Sequence, residues 1–379
     1  MAAGYGALHA SLSASSFRRT VSSSGVELLD SEDSSDDGRG GAGGGKEEYK
    51  ETPSMDTINA YMRVNPRADV ADRSSLLDML DAFVVGNEAA ADSPNLRGAD
   101  ADDMAALTRL LGAAHASGDA ELAEVLLCMF KILLRKLGNR RGIGEIGIKT
   151  IVNVMRDPPN GKVAKAGANV MLNLCYESDN VDTVLDMGGA DPLVRLLQSP
   201  DEDLCASACG ALQSVCFQRR GRDIARDLGA TELVVGLLEA KNTTLLARAV
   251  GALHNLSSDP ASIDLIRDAG GAVRLVRLLR VPSAPVCSSA AGAIQNLSRE
   301  PLSREEIREA DAVPALIDLL FAGEAASQAH AAGALLNIIG PTLGSEDPSN
   351  PKRQAFKALL SDSIAIGAVA KVMTVAPME

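Results

Sequence analysis

The apolar positions of this chain recur at the three- and four-residue spacing that buries one face of a helix. Between residues 120 and 134 they are Leu122, Val125, Leu126, Met129, Ile132 and Leu133. After Asn180 the same spacing is punctuated more sharply. A short helix is predicted to end near Met187, because Gly188-Gly189 accepts the positive φ of a helix terminus. A second helix holds Leu193, Val194, Leu196 and Leu197 and stops at Ser199-Pro200. Asp201 then stands where a carboxylate caps a third helix, whose buried stripe is Cys205, Ala208, Cys209, Leu212 and Val215. The same parse recurs at Gly229, Gly270-Gly271 and Asp311, with second helices over 233–238, 275–279 and 316–320. A weaker copy opens at Ile146-Gly147.

The third helices carry a repeated phrase: Gly210-Ala-Leu-Gln-Ser214, Gly251-Ala-Leu-His-Asn255, Gly292-Ala-Ile-Gln-Asn296 and Gly333-Ala-Leu-Leu-Asn337, with a looser form ending at Asn173. Positions 173, 214, 255, 296 and 337 follow one another at intervals of 41 residues. Self-similarity at about 40–47 residues marks a helical array in which each unit packs on its neighbours. The phrase, with Gly-Gly-Ala-x-x-x-Leu-Val-x-Leu-Leu about 18 residues after it, resembles the armadillo repeat. The resemblance is strong over 143–340 and weak over 100–142, and its nearest flavour is that of plant U-box and catenin-type or vacuolar-scaffold arrays. It implies an all-α, right-handed superhelical solenoid of about six units plus caps.

The ends read differently. Residues 1–52 are Ser- and Gly-rich and hold the acidic run Asp30–Asp37, with too little apolar surface to offset the entropy of ordering, so a disordered tail is expected. Residues 53–99 are expected to form an N-terminal helical cap followed by a linker over 89–98. From 100 to 379 the chain is read as the solenoid: a degenerate first unit to residue 141, regular units over 143–340 that end at Ile339-Gly340-Pro341, and a C-terminal cap over 353–376.

Composition narrows the function. Of 379 residues 46% are hydrophobic, yet only 3% are aromatic and none is Trp, so small aliphatic side chains must pack closely spaced helices. A net charge of −13 argues against general nucleic-acid binding, which needs clustered Lys and Arg. No apolar run approaches the ~20 residues of a membrane span. The six cysteines fall among small apolar residues without a CxxC pair, which points to buried reduced thiols, no metal site and a cytosolic or nuclear location. Arg18-Arg19 in an acid-free, Ser-containing start gives only a faint organelle-transit pattern. The letters Gly142-Ile-Gly144-Glu-Ile-Gly147 match a dinucleotide fingerprint but lie between helices, with no strand before them. With no catalytic motif and four scattered histidines, the chain is read as non-enzymatic and without a cofactor.

The resemblance places the third helices on a concave groove and makes Asn173, Asn255, Asn296 and Asn337, interrupted by Ser214, a ladder of amides that clamp the main chain of an extended ligand. The same amides are also suited to fixing the stacking of units. Importin-α-like arrays carry Trp four residues before the ladder Asn. Here those positions are Asn169, Gly210, Gly251, Gly292 and Gly333, which argues against import of basic cargo and is expected to leave open space for bulky or helical ligands. Beside that row stand Ser207, Arg248, Ser289 and His330, with Arg248 the fixed positive charge that suits an acidic segment. A second candidate surface is a basic rim of Arg135, Lys136, Arg140 and Arg141 with Arg219, Arg220 and Arg222, placed to take up the acidic tail. The expected function is a protein-interaction scaffold or adaptor. The alternatives are a cytoskeletal or ciliary component that uses its edges, and a substrate-recruiting subunit of a separate ubiquitin ligase, since no U-box is present in this chain.

Overall fold

A computed structural model of the chain describes residues 52–64, 70–88, 101–321 and 324–343. The predicted tail over 1–52 (all but its last residue), the linker over 89–98 and the C-terminal cap over 353–376 lie outside the described residues. Every regular element among them is a helix. The chain divides into two compact units that meet in sequence between residues 196 and 197.

The first unit holds α1 (Met55–Val64), α2 (Val70–Glu88), α3 (Ala101–Ser117), α4 (Ala120–Leu133), the short α5 (Leu137–Gly142), α6 (Gly144–Arg156), α7 (Gly161–Leu174), α8 (Ser178–Asp186) and α9 (Ala190–Leu196). The predicted stripe of α4 is buried: Leu126, Met129, Ile132 and Leu133 are each 0% exposed. That face packs against α2, α3 and α7. Asp119 caps α4 and is held in turn by Arg73 of α2 at 2.7 Å. The Gly142–Gly147 letters fall at the end of α5 and the start of α6, so they form helix termini with no strand before them.

The second unit holds α10 (Glu202–Val215), α11 (Arg219–Asp227), α12 (Ala230–Gly236) with a 3-10 turn at Leu237–Glu239, α13 (Thr243–Leu256), α14 (Pro260–Asp268), α15 (Gly271–Leu278), α16 (Ala284–Leu297), α17 (Pro301–Glu309), α18 (Ala312–Leu320) and α19 (Ala325–Leu343). Third helices α10, α13, α16 and α19 pack in series, each on the next. Punctuation follows the sequence reading closely. Asp201 and Asn242 accept N–H groups of the first turns of α10 and α13. Positive φ recurs at Gly188, Gly229, Gly270 and Asp311, one per repeat. Asp311 is the only non-glycine among described residues with positive φ, a conformation its short polar side chain tolerates better than most. The last helix runs to Leu343, three residues past the predicted stop at Gly340, because a proline near a helix end removes little intrahelical bonding.

Ion pairs join first helices of successive repeats at the same spacing. Arg226 meets Asp259, and Arg267 meets Glu300 at 3.1 Å. Burial raises the Glu300 pKa, but N–H groups of Leu302 and Ser303 and the Arg267 guanidinium outweigh it and bring the carboxyl down to about 2.

The third-helix face as candidate binding site

Each ladder asparagine donates its side-chain N–H to the end of the preceding third helix, where carbonyls lack intrahelical partners. Asn173 reaches the Lys131 carbonyl at 2.8 Å, Asn255 that of Gln213 at 2.7 Å and Asn337 that of Gln295 at 3.1 Å. Asn296 bonds the Ser257 hydroxyl at 3.0 Å and is 6% exposed. Ser214 is too short to cross, and its hydroxyl turns back to the Gly210 carbonyl at 3.5 Å. The donor half of the amide therefore fixes stacking. The carbonyl half is different: at all four asparagines it accepts no hydrogen bond among the described residues.

The expected open space along the glycine row is not there. A Cβ at Gly251 would lie 2.5 Å from the Gln213 side chain, one at Gly292 2.5 Å from the His254 ring, and one at Gly333 2.2 Å from Gln295. At Gly210 it would lie 2.7 Å from Nη1 of Arg248. Each missing Cβ is thus replaced by a polar side chain from the neighbouring third helix. The residue just before the ladder position, variable in the repeated phrase, supplies Gln213, His254 and Gln295. Sequence reading passed over Gln213 and Gln295, and their polarity within an apolar phrase was the available signal.

The row beside the glycines divides by bonding. Ser207 donates to the Asp203 carbonyl at 3.0 Å. His330 meets Gln295 at 3.0 Å through Nδ1, and its ring stands edge-on to His254 at 5.0 Å between centroids. Burial pushes the His254 pKa down to about 3, with the neighbouring His330 adding to the shift, and burial pushes His330 down to about 4. Both rings are neutral at pH 7. Arg248 and Ser289, by contrast, are half-buried and make no hydrogen bond or ion pair among the described residues.

Acid should therefore destabilise the second unit over two overlapping pH windows. An unfolded histidine takes a proton near pH 6.5 while the folded one resists, so stability falls as the pH drops below that value. The depressed Glu300 carboxyl contributes stability above its ordinary value near 4.5 that is lost as the pH falls toward 2. Thermal melts between pH 7 and 5 should show a smaller loss in His330→Gln than in wild type.

Four of the predicted rim residues, Arg135, Lys136, Arg140 and Arg222, are half-buried, while Arg141, Arg219 and Arg220 are exposed. Arg140 donates to the carbonyls of Leu134 at 3.3 Å and Arg135 at 2.9 Å, and Arg222 to those of Cys216 and Phe217 at 3.1 and 2.9 Å. Arg304 repeats the pattern on Ser298 and Arg299. All three bond the carbonyls of the two residues that follow a long helix, α4, α10 or α16. Arg135 bonds the Asn87 and Glu88 carbonyls, Arg141 pairs with Glu177 at 3.3 Å, and Arg219 stands 3.9 Å from Asp223. Lys136 and Arg220 are engaged as well. Residues 135–141 belong to the first unit and 219–222 to the second.

The cysteines are unpaired, five of them buried and Cys128 half-buried. Burial raises the Cys209 and Cys216 thiols, Cys216 to about 12, which keeps both protonated and poorly nucleophilic. Among the described residues no group of three His, Cys, Asp or Glu side chains stands ready to hold a metal ion, and no helix is long and apolar enough to cross a membrane.

A family model of the armadillo/beta-catenin-like repeat matches residues 177–217, 259–299 and 301–340, each spanning a first, second and third helix. Armadillo repeats are thus present over those three stretches. The solved structures it is similar to agree. A crystal structure of an engineered protein shares 27% identity over 63% of this chain and 97% of its own, with a TM-score of 0.58. A second engineered protein, at 21% identity, covers 85% of this chain and 91% of its own with a TM-score of 0.62. A designed armadillo repeat protein in complex with the peptide (KR)4 shares 23% identity over 61% of this chain and 98% of its own, with a TM-score of 0.54. Comparison with curated protein sequences returns no match.

Removing Asn296 tests the stacking role. Asn296→Ala leaves the end of the preceding helix without its partner and is expected to lower stability by about 1–3 kcal/mol in urea unfolding.

Proposed function

We propose that this chain is a non-catalytic protein-interaction scaffold that holds an extended segment of a partner along the third-helix face. The observation that carries this reading is the half-used amide at Asn255, Asn296 and Asn337. Their donors are fixed to the preceding helix, while their oxygens, one per repeat, accept no hydrogen bond among the described residues. A main-chain N–H of a bound segment supplies the missing donor. Each such bond contributes only about 0.5–1.5 kcal/mol, so a row of them holds a backbone without reading its sequence. The designed armadillo protein that carries (KR)4 is similar in fold, and its basic peptide is its own. On this reading the chain needs no cofactor. Its protonated, poorly nucleophilic thiols suit a reducing compartment, cytosolic or nuclear.

Photo-crosslinking locates the working face. A benzoylphenylalanine at Ser289, on the third helix α16, is compared with one at Glu232, an exposed position on the second helix α12. The expected result is that Ser289 labels short, discrete partner segments identified by mass spectrometry and Glu232 does not. Equal labelling from both, or labelling from Glu232 alone, overturns the assignment.

A further inference from the structure

Resting on the binding face described above, we propose that the junction of α10 and α13 receives an aspartate or glutamate side chain of the bound segment. Two half-buried polar side chains reach into this one junction from opposite helices. Arg248 of α13 extends over Gly210 of α10, and Gln213 of α10 extends over Gly251 of α13. The two glycines stand at equivalent positions of the repeat, so both tips arrive at the same level along the helices. Neither side chain makes a hydrogen bond or ion pair among the described residues.

Among the described residues Arg109, Arg277 and Arg299 also make neither, but they are exposed; Arg248 is the only half-buried arginine in that state. Arg73, Arg140, Arg195, Arg226, Arg267 and Arg308 all meet carboxylates. Acids are plentiful, with 50 against 37 basic residues, yet none of those described approaches within ion-pair distance of Arg248. A guanidinium half-removed from water without an anion is a destabilising arrangement that a ligand anion relieves. The planar fork of arginine matches a carboxylate in two parallel bonds, and the Gln213 amide adds a further donor beside it. A carboxylate fits better than a phosphate dianion, because no second cation supports the site. His254, one repeat level away, is neutral at pH 7.

The test is selection of displayed random dodecapeptides on the immobilised full chain, wild type against Arg248→Gln, Arg248→Lys and Arg248→Glu. Wild type should enrich peptides with Asp or Glu at one fixed position. Arg248→Gln should lose that preference, and Arg248→Glu should replace it with Lys or Arg. An enriched sequence is then synthesised with Glu, Gln or phosphoserine at that position and titrated by fluorescence anisotropy. The Glu-to-Gln change should weaken binding to wild type about ten-fold or more, and binding to Arg248→Gln by far less. Arg248→Lys keeps the charge but not the fork, so it should retain the acidic preference at lower affinity; this comparison holds even if Arg248→Gln does not fold. Enrichment without an acidic position, or with one indifferent to Arg248→Gln, overturns this inference and leaves the binding face standing. No enrichment at all overturns both. Tighter binding of the phosphoserine peptide than of the Glu peptide overturns the carboxylate assignment.

Discussion

Leu253→Ala is expected to lower the stability of the second unit by about 2–5 kcal/mol, the range for emptying a leucine site in a packed core. Leu253 lies on the third helix α13, which packs against α10 on one side and α16 on the other, and it is 0% exposed. The surrounding core is built of small aliphatic side chains, with Ala249, Val250, Ala252, Ala290 and Ala293 also at 0%. Alanines have no spare reach to close a cavity, which places the expected loss in the upper part of the range. In an array each repeat is stabilised by its neighbours, so the loss should appear as a lower urea midpoint for the whole second unit. A shift corresponding to less than about 1 kcal/mol would contradict this account of the core.

The second large effect separates two helical glycines. Alanine is favoured over glycine inside a helix by roughly 1 kcal/mol, so substitution should help wherever space allows. At Gly236, in α12, no atom lies within 4 Å of an added Cβ, and φ is −60°. Gly236→Ala should raise stability by about 0.5–1 kcal/mol. At Gly221, in α11, the added Cβ would lie 2.0 Å from the carbonyl oxygen of Val215. That oxygen is main chain at the end of α10 and has no rotamer through which to escape. Gly221→Ala should therefore cost about 3 kcal/mol despite its better helix propensity. Thermal melts of the two variants against wild type check the pair, and a neutral or stabilising Gly221→Ala would show that α11 does not sit so close to α10.

How much of this was legible in the sequence depends on the range of the interaction. The helices, their breaks and their caps are local. Asp201 caps the helix it precedes, and Gly188, Gly229 and Gly270 take the positive φ their positions demand, so a 41-residue period was enough to place them. The side chains between helices were harder. Arg248 leans toward the helix before it and His254 toward the helix after it, although both belong to α13. Which neighbour a side chain chooses depends on its length and on where a Cβ is missing, and a repeat phrase carries neither. The glycine row was therefore expected to be empty when it is filled. Arg140 and Arg222 read as members of a charged run because sequence cannot show that the carbonyls five and six residues earlier fold back beneath them. The sequence offered two roles for the ladder asparagines; their bonds join successive repeats, and clamping is proposed for the oxygens those bonds leave over.

The central claim is that partners bind on the third-helix face. Its most direct test is calorimetric titration of the segment crosslinked from Ser289 into wild type and into Ser289→Trp. The indole would stand across that face, where the serine hydroxyl has no partner to lose. The account predicts that binding disappears while the melting temperature stays within about 2 °C of wild type, as usual for a substitution at a partly exposed position. Unchanged affinity in Ser289→Trp would contradict it and move the search for the binding surface to the other faces of the repeats.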